Sequence, residues 1–216
     1  MRSTLKMVLL ALLAVLAVSA TSVSVAFASP EWYVKKGGVY SKLATSVKVK
    51  FENKIEFLDA GEIGFKCEAG TAEGEIKTGG AGVISEFSVN ERDKCEGIKR
   101  VGPSHLLEVF TEKYLPWTTE LYKEGTEIRQ RDAGSSGEKP GIEFRVGGDL
   151  DTCKGVTSTH MTTNATAGLV EASFDTKSGK MQCSWSNEEA GEWKGVMKIA
   201  PTSTEKSKGV EAIKVE

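Results

Sequence analysis

The chain has 216 residues, with 28 Lys and Arg against 30 Asp and Glu, for a net charge of −2. Hydrophobic residues at 39% and charged residues at 27% exclude a disordered or collagen-like chain, and the charge balance offers no basic field for nucleic acid. Only two histidines are present, His105 and His160, so imidazole-rich metal sites are excluded.

The chain opens with an export signal. Arg2 and Lys6 precede the apolar run Met7 to Val18, and Ala26-Phe27-Ala28 has the A-x-A form of a signal-peptidase site. Val18-Ser19-Ala20 is a second acceptable site. The competing reading is a membrane anchor, because Met7 to Ala28 reaches the ~20 residues of a spanning helix; Ser19, Thr21, Ser22 and Ser24 thin its second half. Cleavage after Ala28 leaves 188 residues with 26 basic against 30 acidic side chains.

Period-two patterns follow. Val47, Val49 and Phe51 alternate with Lys48 and Lys50, and Ile55 and Phe57 continue the strand. Glu75-Ile76-Lys77 runs into a Thr78-Gly79-Gly80 turn, and Val83 to Val89 is a strand ended by Asn90. Ser104 to Tyr114 fits a helix or a strand; its β surroundings favour a strand. Gly125 to Gly141 reads as a long exposed loop. Ile142 and Phe144 precede a Gly147-Gly148 turn. Leu169 to Phe174 and Met181 to Trp185 suggest a hairpin around Thr176-Lys177-Ser178-Gly179. Trp193, Gly195, Met197 and Ile199 alternate up to Pro201, Thr202 to Lys208 reads as a polar tether, and Val210 to Val215 supplies a last strand. Short strands with Gly-rich turns point to an all-β sandwich or barrel.

The four cysteines, Cys67, Cys95, Cys153 and Cys183, all lie in the exported part, and an even count there reads as two disulfides. The near-equal spacings favour Cys67–Cys95 and Cys153–Cys183; the alternative pairs equivalent positions across the halves. The halves also overlay elsewhere. Ile55-Glu56-Phe57 matches Ile142-Glu143-Phe144, Ala81-Gly82-Val83-Ile84 matches Ala167-Gly168-Leu169-Val170, and Trp32 matches Trp117. These offsets suggest a diverged tandem duplication, against chance likeness between β-rich segments.

No catalytic constellation stands out. There is no G-x-S-x-G, and Gly134-Ser135-Ser136-Gly137 lacks that spacing. His105 and His160 have no carboxylate within two residues. Asp149, Asp151, Glu188 and Glu189 are candidates for paired-carboxylate glycoside chemistry only as acids near turns. Gly147-Gly148-Asp149-Leu150-Asp151 resembles part of a calcium loop, but Lys154 and His160 stand where Gly and Glu are needed. Asn164-Ala165-Thr166 is a formal glycosylation sequon. Trp32, Trp117, Trp185 and Trp193 are expected in the core, and Tyr33, Tyr40, Tyr114 and Tyr122 at the surface.

Five segments together carry a family resemblance: Glu31-Trp32-Tyr33-Val34; Leu115-Pro116-Trp117-Thr118-Thr119-Glu120-Leu121; Cys153-Lys154-Gly155; Thr157-Ser158-Thr159-His160-Met161-Thr162; and Ala172-Ser173-Phe174-Asp175 with Cys183 downstream. The set resembles small exported proteins of unknown function from soil actinobacteria, which share a signal peptide, a P-W-x-T-E-L segment and cysteine-bearing β-rich halves. This chain has fewer cysteines than such proteins carry. The resemblance implies no activity and no catalytic residues.

The expectation is an all-β protein of two diverged tandem sandwich-like or barrel-like units with disulfides. Its parts are a signal peptide (1–28), a first unit (29–115) and a second unit with a polar extension (116–216). The expected role is a non-enzymatic binding or structural module at the cell envelope, without cofactor or metal. Its partner would be an envelope polymer or surface protein, not nucleic acid; the alternative is a secreted hydrolase of envelope polymers. Intact-mass measurement of the exported protein tests the leader: a chain beginning at Ser29 is expected, and one beginning at Met1 rejects cleavage.

Overall fold

The computed structural model describes residues 29–89, 95–99 and 105–216. The expected signal peptide (1–28), Asn90 and Ser104 lie outside these residues. The described residues form sixteen β-strands and one short helix, besides single 3₁₀ turns at Thr78–Gly80 and Ser135–Gly137.

Three long strands, β3 (Val47–Asp59), β4 (Ile63–Ile76) and β15 (Glu189–Pro201), run the full height of the molecule. The rest of the wall is made of split staves, each two strands laid end to end. These are β5 (Ala81–Val89) with β6 (Cys95–Lys99), β8 (Trp117–Glu124) with β7 (His105–Lys113), and β9 (Glu127–Ala133) with β10 (Gly141–Val146). The series continues with β12 (Ser158–Asn164) over β11 (Asp149–Lys154), and β13 (Leu169–Ser173) over β14 (Met181–Cys183). Each stave is antiparallel to the next. The first-named strands form an upper ring and the second-named a lower ring around the shared long strands. β15 pairs with β3 from Glu192↔Leu58 to Pro201↔Val49, and with β13 and β14 on its other edge. Among the described residues the result is an up-and-down barrel of eight staves, closed by the β15–β3 seam, with β6 and β7 joined at two residue pairs.

This topology corrects two expectations. Leu169–Phe174 and Met181–Trp185 do not form a hairpin. β13 and β14 each pair with β15 and run in the same direction along it, because the turn between them steps the chain from one ring to the other. Nor are the halves separate units. Residues 47–124 supply four consecutive staves and residues 127–201 the other four. A four-stave sheet with one apolar face must cover that face, and here each half covers the other around one contiguous core.

The alternation anticipated from β3 holds: Val49, Phe51, Ile55 and Phe57 are buried while Lys48, Glu52 and Lys54 are exposed. Charged outward positions also mark β4 (Lys66, Glu68, Glu73) and β15 (Lys194, Lys198). This is the reverse of the apolar outer band of a membrane barrel. Among the described residues no helix is long and apolar enough to cross a membrane.

Both disulfides pair as expected, Cys67–Cys95 and Cys153–Cys183. Each joins directly opposed residues, on β4 and β6 and on β11 and β14, with Cα atoms 4.0 Å apart. They staple opposite walls of the lower ring. A three-stranded sheet of β1 (Trp32–Lys36), β2 (Val39–Lys42) and β16 (Ala212–Val215) caps the other end, burying Trp32, Val34, Ile213 and Val215.

Two further expectations fail. The supposed loop Gly125 to Gly141 contains β9, whose inward residues Gln130 and Asp132 are polar and hide the strand pattern. The supposed tether at Thr202 to Lys208 holds α1 (Ser203–Ser207), where the Thr202 hydroxyl accepts from Glu205 N at 3.3 Å and Glu205 is buried.

At the waist between the rings the long strands bend. Gly195 faces Ile55 with φ +121°, and a Cβ there would lie 2.4 Å from the Lys54 carbonyl, so this close approach admits only glycine. Chain-entropy arguments give each disulfide about 3–4 kcal/mol, for closed loops of 28 and 30 residues. Denaturant unfolding of the Cys67→Ser/Cys95→Ser and Cys153→Ser/Cys183→Ser proteins should each show about that loss; a loss under 1 kcal/mol for either contradicts its role as a staple.

Candidate functional site

The acids singled out in the sequence serve the lower ring. Asp149 forms an ion pair with Lys99 at 2.6 Å on the outer surface. Asp151, the next side chain but one, is fully buried, correcting its reading as part of a solvated turn. Its Oδ1 accepts from Ser184 N (3.1 Å), Ser184 Oγ (3.0 Å) and Trp185 N (2.9 Å). Asp59, also fully buried, accepts from Ser186 N (3.0 Å) and Ser186 Oγ (2.7 Å). The two aspartates therefore hold the 184–186 loop. Burial raises the Asp151 carboxyl above its usual range, Asp59 adds to this, and the loop donors oppose it. Asp151 lies close to Cys153 and Cys183, but those sulfurs are joined in a disulfide and offer no thiolate to a metal. Glu188 and Glu189 are exposed.

Trp32 and Trp117 are buried as expected, and Trp193 packs against the core. Trp185 is 41% exposed, which corrects its assignment to the core: its backbone N–H, not its ring, is held by Asp151. His160 lies half-buried on β12, opposite Arg129 of β9 and Ser173 of β13. The Asn164 amide donates to Glu171 Oε1 at 3.1 Å, so the sequon side chain is engaged in the wall.

The cap sheet presents an aromatic and cationic face. Inward residues Trp32 and Val34 alternate with Tyr33 and Lys35, which face out with Tyr40, Lys42 and Lys214. Lys214 Nζ lies 5.0 Å from the Tyr33 ring and 4.8 Å from the Tyr40 ring, so it sits between them; Lys35 lies 6.0 Å from Tyr40. Acids rim this face: Lys42 pairs with Glu31 at 2.5 Å, and Lys214 with Glu216.

The upper ring contains a polar strip that sequence reading missed. Thr119, Gln130, Asp132, Thr157 and Thr159 are all buried, on β8, on β9, just before β12 and on β12. Gln130 Nε2 donates to Asp132 Oδ1 at 3.2 Å, and Thr157 Oγ1 donates to Asp132 Oδ2 at 3.4 Å. These bonds do not offset desolvation, and burial raises the Asp132 carboxyl to about 7. Outside the same strands, Arg129 is fully buried under the 174–180 turn, its guanidinium gripping Asp175 through Nη1 (2.8 Å) and Nη2 (2.9 Å). The Arg129 hydrogen bonds hold the Asp175 carboxyl well below the usual carboxylate range.

No family model, no curated protein and no solved structure matches this chain.

Asp132 makes stability depend on pH. Its folded value near 7 lies above the unfolded value near 4, so the folded state holds a proton that the unfolded state has lost between them. Stability from this group is present at the acidic end and falls as pH rises from about 4 to about 7, by up to about 1.4 kcal/mol per unit. Denaturant unfolding of the Asp132→Asn protein across this window should lack that downward slope; a slope equal to that of the unaltered protein contradicts the assignment.

Proposed function

We propose that the protein is exported and serves as a non-enzymatic binding module at the cell envelope, its partner an envelope polymer carrying sugar rings and anionic groups. The observation that carries this reading is the outward face of the cap sheet. Tyr33 and Tyr40 offer rings on which the C–H faces of sugars stack, and Lys35, Lys42 and Lys214, paired in this structure with Glu211, Glu31 and Glu216, stand beside them for anionic substituents that displace those glutamates. The export signal ahead of residue 29 and two buried disulfides support an oxidising compartment. A stapled barrel with a charged outer wall is a rigid support for such a face.

We also infer a tandem duplication. Its support is positional: the disulfides occupy matching places, and the four staves of 47–124 follow the same up-down order as those of 127–201. The pairing supports a different boundary. Ile84 is opposed by Trp117 and its counterpart Val170 by Ile199, so on this reading Trp117 corresponds to Ile199 rather than to Trp32. On this reading the second half begins at β9, and the cap sheet belongs to neither half.

Co-sedimentation of the mature protein with envelopes from its own host tests the reading. Saturable binding is expected, weakened at least tenfold in the Tyr33→Ala/Tyr40→Ala protein and by added salt. Binding that is absent, or unchanged by the double substitution, contradicts it.

A further inference from the structure

Where the two rings meet, the barrel encloses a cavity of about 30 Å³, space for one or two waters. Its wall is apolar on the side of the continuous strands, where Phe51, Ala72, Trp193 and Met197 line it. The split staves add Ile84, Phe87, Trp117 and Ile142, and only Asp132 and Thr157 bring polar groups, at one corner. Phe174 and Trp193 line both this cavity and an outer groove of about 350 Å³ beside the 174–180 turn. Their rings stack at 5.9 Å and 22°, and so form a partition between inside and outside.

The turn that carries Phe174 is held from outside the barrel. Asp175 binds Arg129, and Ser158 N donates to the Ser178 carbonyl at 2.8 Å. Phe174 N donates to the Gly195 carbonyl at 3.1 Å, but the ladders to β12 and β15 end at Ser173, so residues 175–180 lie in the break between β13 and β14.

We propose that the waist is a binding site for a small, neutral, ring-shaped apolar molecule bearing one hydroxyl group. It enters from the groove as Phe174 swings outward, and its hydroxyl donates to Asp132. The cavity alone is too small for such a molecule; joined to the groove it reaches the size range of ligand pockets. Stability alone gives no reason for a buried carboxyl among aromatic rings, since burying it is costly. A ligand hydroxyl adds a third donor, at the one polar corner of an apolar chamber, to a carboxyl whose bonds from Gln130 (3.2 Å) and Thr157 (3.4 Å) do not offset its burial. Met181 and Met197 give the wall side chains that adapt to a guest. A carboxylate ligand is disfavoured by the same burial that raises the Asp132 carboxyl. The site is remote in role from the cap face, and its test does not depend on envelope binding.

Calorimetry and ligand-observed NMR of the mature chain with p-cresol and with toluene test this. We expect p-cresol to bind one-to-one and at least tenfold more tightly than toluene. In Asp132→Val the p-cresol affinity should fall to that of toluene, and in Asp175→Asn association should quicken severalfold as the turn loosens. If Asp132→Val does not fold, contacts between bound p-cresol and the Met181 and Met197 methyl groups in the unaltered protein decide the question. No saturable p-cresol binding, equal affinities for the two compounds in the unaltered protein, or bound p-cresol remote from those methyl groups overturns the proposal.

Discussion

The waist is the constraint on which the rest of the barrel depends. Only β3, β4 and β15 carry the wall continuously from one ring to the other; the remaining staves of the described residues are interrupted there. Continuity across the breaks must come from side chains, and Trp193 supplies it. Its ring contacts Phe57 (4.8 Å) and Phe65 (5.9 Å) in the lower ring, and Phe87 (6.0 Å) and Phe174 (5.9 Å) above. Edge and stacked contacts of this kind add about 0.5–1.5 kcal/mol each beyond burial. This indole on a continuous strand, together with the Phe87–Phe110 contact at 5.6 Å, couples both rings into one core.

The interruptions also explain where polar chemistry enters the interior. A continuous stave keeps its inner face largely apolar, as Val49, Phe51, Ile55 and Phe57 do in β3. At the breaks, backbone groups leave the ladder and need other partners: Asp132 N donates to the Thr157 carbonyl at 3.0 Å and Gly155 N to the Pro140 carbonyl at 2.9 Å. Asp132 and Thr157 stand at these positions, so the polar corner of the cavity is a product of how the wall is broken. The lower ring, in contrast, is cross-linked and aromatic: both disulfides and the Phe57, Phe65, Phe110 and Phe144 cluster lie there. The molecule thus has a stapled base and, at the waist, a small cavity with one polar corner.

Much of the wall was legible in the sequence because apolar residues alternate with polar or charged ones in β3 and in most of β15, and because Val83 to Val89 is rich in strand-forming residues. Cysteine spacing was enough to favour the observed pairing. Three features were not legible. β9 was hidden because its inward residues, Gln130 and Asp132, are as polar as its outward Arg131. The collinear β13 and β14 read as a hairpin because a Gly-containing turn looks the same whether the chain reverses or steps sideways. The closure of one barrel from two similar halves left no local trace, since the seam between β15 and β3 joins strands more than a hundred residues apart. The candidate sites were harder still. Tyr33 and Tyr40 were expected at the surface, but their placement about Lys214 arises from register, and the Arg129–Asp175 contact joins residues 46 apart.

The central claim is that both halves and both rings form one cooperative barrel. Native-state hydrogen exchange of the mature chain in increasing denaturant tests it most directly. The account predicts that the protected amides of β3, β4, β10 and β11 open at one common free energy, equal to that of global unfolding. Loss of protection in the staves of 127–201 while those of 47–124 remain closed would contradict it, and would restore two independently folding units.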